Sequence, residues 1–202
     1  MQILGIAGSM RKDGRTSELV LRVIEELRHL VGSVESDVVY VADKDINPCK
    51  VVCSHYCSTN AYRCSIPDDV PGILNTMVKA DALIVGVPLY FRGPPAKFHA
   101  LIERLVSMFF YRELETGGEA QSPLAGKPCA LIGVAEYSNP HQLLEYLNDF
   151  CTVLKMRPVR LNRFPYLGVG GQGDLAQDEV FHPFERSKEL AGAIVKHVMG
   201  KG

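Results

Sequence analysis

The sequence lacks an excess of charge of either sign and lacks a long hydrophobic run. Its 22 Lys and Arg residues against 23 Asp and Glu leave a formal net charge of −1 over 202 residues. Such a chain offers no basic face to the phosphate backbone of DNA or RNA, so nucleic acid is not an expected partner. The longest apolar run, residues 82–91, is too short to cross a bilayer, and the amino terminus has no positively charged lead-in. We therefore expect a cytoplasmic protein with no membrane partner.

Three phosphate-binding signatures are also absent. The sequence contains neither G-x-x-x-x-G-K-[ST] nor G-x-G-x-x-G, which argues against an ATP-binding P-loop and against a dinucleotide site on the first turn. A phospho-receiver domain needs acidic residues where the first and third predicted strands end, and those ends carry Gly8-Ser9 and Pro88-Leu89. The function must therefore come from other residues.

The chain shows no internal repeat, low-complexity tract or charge block, which predicts a single domain over residues 1–202. Its six cysteines are few for a disulfide-stapled protein of this length. Four of them crowd a predicted loop at about residues 46–67. In a reducing compartment such crowding indicates metal or redox chemistry more than disulfides.

Apolar periodicity predicts strands that alternate with helices. The predicted strands are residues 2–7, 37–42, 82–87, 128–134 and 157–162. The predicted helices are residues 17–31, a segment capped by Asp68-Asp69, a segment opened by Gly93-Pro94-Pro95, 141–154 and 178–199. This alternation predicts a doubly wound α/β protein whose five-stranded parallel sheet has the order 2-1-3-4-5. A ligand is expected where the winding reverses, at the carboxyl ends of strands one and three.

The loop after the first strand has the chemistry of a phosphate site. It combines hydroxyls, cations and glycines and leads into a helix amino terminus, where free N–H groups favour an anion. The candidates are Ser9, Arg11, Gly14, Arg15, Thr16 and Ser17. The alternative is a polar surface turn in which Thr16 or Ser17 is an ordinary helix cap.

Two further loops are predicted to reach the same crevice. After strand three, the candidates for contact with a planar ring are Pro88, Leu89, Tyr90, Phe91 and Gly93. The alternative is that the two aromatic residues only close the top of the core. After strand four, Ala135 lies in the crevice and Tyr137 is the best candidate to stack on the ring.

These motifs together resemble the NAD(P)H-dependent FMN reductase and iron–sulfur flavoprotein family of the flavodoxin-like fold. The resemblance covers residues 1–160 and rests on Gly-Ser-x-Arg-x-x-Gly-x-Thr, Pro88-Leu89-Tyr90-Phe91 and a cysteine segment that runs into Asp68-Asp69. It implies an FMN whose phosphate lies at Ser9, Arg11 and Thr16 and whose ring lies against the loop 88–93. Two departures are visible: Arg15 stands where relatives commonly have Asn, and residues 135–140 replace a glycine-rich stretch.

The four crowded cysteines, Cys49, Cys53, Cys57 and Cys64, have the spacing C-x3-C-x3-C-x6-C. The resemblance implies that they hold a [4Fe-4S] cluster, although relatives use C-x2-C-x2-C-x4-7-C and the first two gaps here are one residue longer. A regular helix would separate the first and third thiols by about 12 Å, so the segment must wrap if all four bind one cluster. Zinc and uncoordinated or disulfide-linked thiols are the alternatives.

The predicted function is an FMN-dependent oxidoreductase that accepts electrons from NADH or NADPH and passes them on, with the cluster as a one-electron exit. Its partners would be small-molecule or protein electron donors and acceptors. Hydride arrival at the flavin needs no protein acid or base, so no catalytic residue is nominated. The rivals are a non-enzymatic electron carrier with the same cofactor and a cofactor-free scaffold.

The sequence also predicts self-association. The apolar stripe at residues 98–109 and the aromatic run at residues 109–111 exceed what one core face needs. Relatives in the family are homo-oligomers, so the resemblance implies a homodimer or homotetramer.

Overall fold

The strands form one parallel sheet. The computed structural model describes residues 1–50, 56–60, 64–108 and 122–200. The strands are β1 (Gln2–Ala7), β2 (Glu35–Tyr40), β3 (Ala82–Pro88), β4 (Pro128–Ala135), β5 (Arg157–Pro158) and β6 (Val169–Gln172). Their order is β2-β1-β3-β4-β5, with β6 also paired to β4, and every pairing is parallel. The predicted order 2-1-3-4-5 is confirmed, and a sixth strand is added.

Helices cover both faces of this sheet. They are α1 (Arg15–Val31), α2 (Tyr56–Thr59), α3 (Val70–Lys79), α4 (Ala96–Arg104), α5 (His141–Val153) and α6 (Pro183–Val198). The apolar residues of α1 and α6 pack on one face, and those of α3, α4 and α5 pack on the other. Within the described ranges, no helix combines the length and the apolar character that crossing a membrane requires.

The central strand β3 is buried along its whole length. Leu83, Val85 and Val87 point into the core beneath α3, α4 and α5, whereas Ala82 and Ile84 point into the core beneath α1 and α6. Because successive side chains of a strand point to opposite faces, a strand covered on both sides must be apolar throughout. This is why β3 and β4 could be predicted from continuous apolar runs.

The outer edge of β4 differs from the prediction. The strand predicted at residues 157–162 is wrong in length: only Arg157–Pro158 pairs, against the start of β4. The chain then leaves the sheet and returns as β6, which pairs with Ile132 to Ala135 at the end of β4. No strand was predicted at β6 because its residues are Val-Gly-Gly-Gln, and glycine has low strand propensity.

Close packing explains the two glycines of β6. A Cβ atom on Gly170 would lie 2.8 Å from Phe181 Cδ1, and one on Gly171 would lie 2.7 Å from Leu175 Cδ2. Such distances are too short for real contacts, so larger residues would force the chain away from β4. Gly170 and Gly171 lower the strand propensity of β6, and yet their lack of a side chain is what allows β6 to form.

The last helix begins five residues later than predicted, at Pro183 rather than at residue 178. The Asp178 carboxylate accepts hydrogen bonds from the backbone N–H groups of Gln172, Val180 and Phe181. These bonds hold residues 178–182 in a turn, since a carboxylate that binds nearby N–H groups competes with helix formation. Pro183, which lacks an N–H, then starts α6.

The amino terminus of α1 lies close against the sheet. A Cβ atom on Gly86 of β3 would lie 2.5 Å from Val20 Cγ2, and one on Gly5 of β1 would lie 2.8 Å from Val20 Cγ1. Glycine at these positions lets the helix approach two neighbouring strands at once. The first turn of α1 therefore lies beside the carboxyl ends of β1 and β3.

Candidate functional site

A cleft opens at the carboxyl ends of β1, β3 and β4. Its lining residues come from the three loops that follow those strands: Ser9, Arg11, Gly14, Arg15, Thr16, Pro88, Leu89, Tyr90, Val134, Ala135 and Glu136. Four of the predicted site residues, Ser17, Phe91, Gly93 and Tyr137, do not line it. Val134 and Glu136 do line it, although the sequence analysis did not single them out. The convergence follows from topology, because parallel strands end at the same edge of a sheet.

The first turn of α1 presents free backbone donors at this cleft. Gly14 precedes the helix in an extended conformation and provides no side-chain cap. The first helical bond runs from the N–H of Glu18 to the carbonyl of Gly14 at 3.1 Å. The N–H groups of Arg15, Thr16 and Ser17 therefore have no acceptor among the described residues, which makes this turn suited to an anion.

Hydroxyl groups surround the same turn. Ser9, Thr16 and Ser17 are all buried. The Ser9 hydroxyl accepts the N–H of Arg11 at 3.0 Å, and this bond shapes the loop. The Ser17 hydroxyl has no hydrogen-bond partner among the described residues, although its oxygen is inaccessible to solvent. The Ser17 hydroxyl does not line the cleft, so the uncapped N–H groups and the hydroxyls of Ser9 and Thr16 are the groups that fit a phosphate monoester, which FMN carries.

The cations of this loop have different partners. Lys12 forms an ion pair with Asp43 at 2.7 Å and lies over the ring of Tyr40. The hydrogen bond and charge of Asp43 raise the pKa of Lys12. The exposed Arg11 guanidinium has no hydrogen bond or ion pair within the described part of the chain. Arg11 is therefore the cation at the cleft that is available to a ligand.

Arg15 reaches across the cleft. Its guanidinium donates hydrogen bonds to the Glu136 carboxylate and to the carbonyl of Gly173. It thus joins the start of α1 to the loops that follow β4 and β6. An acidic residue on the opposite side of the cleft therefore holds the charge of Arg15.

The loop after β3 makes a tight turn. The N–H of Leu89 donates to the carbonyl of Val134 at 2.7 Å, and Tyr90 and Gly93 exchange backbone hydrogen bonds of 2.8 and 3.0 Å. Phe91 and Arg92 at the tip have φ angles of 51° and 81°. Two consecutive positive φ values are typical of a type I′ turn, and each left-handed non-glycine residue costs about 1–3 kcal/mol. Phe91 is fully exposed at this tip.

The loop after β4 combines a buried and an exposed part. Val134 and Ala135 are buried, whereas Tyr137 exposes 90% of its surface and contacts no side of the cleft. Asn139 Oδ1 accepts the N–H of His141 at 2.8 Å and forms a local turn that leads into α5. The predicted stacking role of Tyr137 would therefore require its side chain to turn towards the cleft.

The cysteine segment is described in part. Cys49, Cys57 and Cys64 are half-buried and free of disulfides, while Cys53 lies outside the described residues. No three His, Cys, Asp or Glu side chains within the described ranges converge where they could hold a metal ion. These thiols alone do not complete a cluster site, so no electron-transfer step is derived through one. The predicted aromatic run at residues 109–111 also lies outside the described residues.

The remaining two cysteines belong to the core. Cys129 on β4 and Cys151 on α5 are fully buried. The hydrogen bond between the Cys129 and Cys151 thiols, together with burial, raises the pKa of the Cys129 thiol well above its ordinary value. A neutral, buried thiol is a poor nucleophile, so neither residue is a candidate for chemistry.

Similarity to known proteins agrees with this cleft. An iron-sulfur flavoprotein of Methanocaldococcus jannaschii is 28% identical over 185 residues, which is 89% of each chain. Among solved structures, RosB with a bound 8-demethyl-8-formylriboflavin-5′-phosphate has a TM-score of 0.75 at 16% identity, covering 99% of this chain and 79% of that one. A flavodoxin from the domain Archaea has a TM-score of 0.59 at 11% identity, covering 98% and 99%.

The two structural matches have low identity and show the fold alone, which is flavodoxin-like. The sequence model of the family described as NADPH-dependent FMN reductase matches residues 1–165. This match spans β1 to β5 and therefore includes every loop that lines the cleft. The chain belongs to the NADPH-dependent FMN reductase family and is a flavin-dependent oxidoreductase.

Proposed function

We propose that the chain binds FMN in the cleft and uses NADH or NADPH as the electron donor. The observation that carries this proposal is the uncapped first turn of α1, which faces the cleft without an acceptor for its N–H groups among the described residues. Membership of the reductase family supports the choice of FMN over other phosphate esters. FMN, when bound, supplies hydride acceptance and the release of electrons one or two at a time.

The residues of this chain bind and orient the cofactor. The N–H groups of Arg15, Thr16 and Ser17, with the hydroxyls of Ser9 and Thr16, would hold the phosphate, and Arg11 would add charge. Gly14 gives the chain its extended approach to the helix. No side chain at the cleft is assigned as an acid or base, so the protein contributes binding and electrostatics to the reaction.

The turn after β3 would position the ring. Pro88, Leu89 and Tyr90 line the cleft, and the hydrogen bond from Leu89 to Val134 fixes their backbone. The mutual bonds of Tyr90 and Gly93 hold Phe91 at the rim. A rigid turn lets backbone groups meet the polar edge of a flavin without rearranging. Ala135 closes the other side, and Tyr137 would cover the ring after a side-chain rotation.

Double replacement of the hydroxyls tests the phosphate site. Ser9→Ala with Thr16→Val should weaken FMN binding at least tenfold, since two hydrogen bonds to a charged group are lost. Quenching of flavin fluorescence on titration measures the affinity. Thr76→Val with Ser187→Ala is the matched control, because these hydroxyls bind only helix carbonyls away from the cleft. Unchanged affinity in the cleft variant would reject the phosphate assignment.

Anaerobic stopped-flow mixing tests the donor. The FMN-loaded protein should lose its oxidised flavin absorbance within seconds of mixing with NADH or NADPH. Flavin that responds to neither nucleotide but to dithionite would identify a non-enzymatic electron carrier. A chain that takes up no FMN at all would leave only the scaffold alternative.

A cluster is proposed separately. Similarity to the iron-sulfur flavoprotein of Methanocaldococcus jannaschii and the four-cysteine spacing support a [4Fe-4S] cluster at Cys49, Cys53, Cys57 and Cys64. Iron and sulfide analysis of anaerobically purified protein, with Cys53→Ser as the comparison, tests it. Iron and sulfide should be present in the parent and absent from the variant. Zinc alone would support the zinc alternative, and no metal would support uncoordinated or disulfide-linked thiols.

The broader organisation stays a prediction as well. We propose one domain over residues 1–202, a cytoplasmic location, small-molecule or protein electron partners, and a homodimer or homotetramer. Light scattering of the purified chain measures the oligomeric state. A monomer at micromolar concentration would contradict the last of these expectations.

A further inference from the structure

The last turn of α4 carries a buried arginine that the cofactor cleft does not use. Only 1% of the Arg104 side chain is exposed, and its partner Asp68 is completely buried. Arg104 Nη1 donates to Asp68 Oδ2 at 2.6 Å, and Nη2 donates to Asp68 Oδ1 at 3.1 Å. This is a bidentate ion pair between α4 and the end of the cysteine segment.

The same pair also holds the beginning of that segment. Arg104 Nη1 donates to the carbonyl of Asn47 at 2.9 Å. The Asp68 carboxylate accepts the N–H of Asn47 at 3.0 Å and the N–H of Val70 at 3.1 Å. Residues that precede Cys49 and residues that follow Cys64 are therefore bonded to one guanidinium and one carboxylate.

Two cysteines lie next to this pair. The Cys64 side chain lies near enough to the Arg104 guanidinium to help raise its pKa. The N–H of Cys49 donates to Glu103 Oε2 at 3.2 Å. Consecutive residues of α4 thus contact the first and the last cysteine of the segment, which are fifteen positions apart in sequence.

The charges of the pair persist despite burial. Burial opposes the charge of Arg104, but the hydrogen bonds and charge of Asp68, together with the neighbouring Cys64 side chain, outweigh it and raise the pKa of the guanidinium. Burial likewise opposes the charge of Asp68, and its bonds from Arg104, Asn47 and Val70 outweigh it and lower the pKa of the carboxyl. A buried ion pair is often no more stabilising than apolar residues of the same volume, so its value here must lie partly in what it positions.

We propose that Arg104 is the positioning residue of the cysteine segment and holds Cys49 and Cys64 side by side on the last turn of α4. The two thiols then form a pair that can act on one reactant, either a soft metal ion or a two-electron oxidant. The inference requires neither FMN in the cleft nor a cluster. It concerns the metal-free chain as well as any metal-bound form.

Oxidation by diamide tests the pairing. Reduced, metal-free protein carrying Cys53→Ser and Cys57→Ser serves as the parent, since Cys129 and Cys151 are buried. The two thiols give two electrons and two protons to the N=N bond of diamide, which becomes a hydrazine, and an S–S bond forms. Peptide mass spectrometry should find a Cys49–Cys64 disulfide. Its absence in the parent would overturn the proposal.

Variants then isolate the role of Arg104. Arg104→Met should slow disulfide formation at least tenfold, and Arg104→Lys should restore part of the rate because it keeps the charge but loses the bidentate geometry. Arg186→Met is the matched control, since Arg186 is equally buried but bonds to residues 163–165 on the other face of the sheet. A rate in Arg104→Met within twofold of the parent, or an equal loss in Arg186→Met, would overturn the proposal.

The role of Arg104 can be tested even if Arg104→Met does not fold. Far-ultraviolet circular dichroism reports an intact fold in each variant, and this readout does not depend on cofactor binding. If Arg104→Met does not fold, Arg104→Met with Asp68→Leu removes both buried charges and leaves an apolar pair. That variant should fold and show the same slow disulfide formation. A fast rate in it would count against Arg104 as the positioning residue.

Discussion

Two arginines among the described residues are buried, one under each face of the sheet, and their partners differ. Arg104 on α4 faces a completely buried carboxylate, whereas Arg186 on α6 donates to the carbonyls of Arg163, Phe164 and Pro165. Arg186 also forms an ion pair with Glu189 at 3.4 Å, and the Glu189 side chain is 35% exposed. One guanidinium is therefore matched by a completely buried charge, and the other by neutral carbonyls and a partly solvated carboxylate.

This difference changes the protonation energetics. Bonds to Asp68 outweigh burial and raise the pKa of Arg104, whereas burial lowers the pKa of Arg186 and the charge of Glu189 does not offset it. Both arginines keep their charge at neutral pH, since the ordinary value is far above that range. Hydrogen bonds to carbonyls are enough for a buried guanidinium to hold a loop, as at Arg186. The bidentate pair of Arg104 and Asp68 fixes the position of the groups it joins more strictly.

The largest expected effect separates the two carboxylates. Asp68→Asn should lower the free energy of unfolding by about 3–5 kcal/mol, because it leaves the Arg104 charge buried without compensation. Glu189→Gln should lower it by less than about 1 kcal/mol, because that residue is partly solvated. Urea unfolding followed by circular dichroism measures both. Equal losses of unfolding free energy in the two variants would contradict the difference between the two arginines.

The second effect appears in acid. The pKa of Asp68 is lowered in the folded chain from its ordinary value of 3.8, so its stabilisation is fully present above about pH 4. This stabilisation is lost as the pH falls through the lowered folded value. Asp68→Asn should therefore show a flatter dependence of unfolding free energy on pH below about pH 4. An unchanged slope would mean that other carboxylates dominate acid unfolding.

The smallest effect concerns a third arginine, Arg15, whose partner is half-exposed. Glu136→Gln removes a negative charge from the cleft and frees the Arg15 guanidinium, so FMN should bind about two- to fivefold more tightly. Fluorescence titration measures the affinity, and Glu145→Gln, outside the cleft, is the control. Weaker binding would show that Glu136 holds Arg15 in the productive position.

Much of the fold could be predicted because its signals are local. β3 and β4 are continuous apolar runs, and the order of parallel strands follows from alternation with helices. The edge beside β4 could not be predicted, because Gly170 and Gly171 are required by contacts with residues later in the chain. The same holds for the start of α6, which depends on where the Asp178 carboxylate finds its donors.

The site likewise contains residues that could be predicted from the sequence and contacts that could not. Ser9, Pro88 and Ala135 could be predicted at one cleft because each lies at or just after the carboxyl end of a parallel strand. The bonds from Arg15 to Glu136 and from Arg104 to Asp68 could not, because they join residues 121 and 36 positions apart and a single sequence gives no pairing information. Glu136 did carry a usable signal, since it directly follows β4 between two predicted site residues.

The turn that holds Phe91 at the rim is also a suitable site for a fluorescent probe of the cleft. The chain contains no tryptophan, so Phe91→Trp would introduce a single indole at the tip of a rigid hairpin bend next to the cleft. Indole emission overlaps flavin absorption, and its brightness would then fall as the cleft fills. This single substitution would let the intrinsic fluorescence of the protein report how much of the cleft is occupied by flavin.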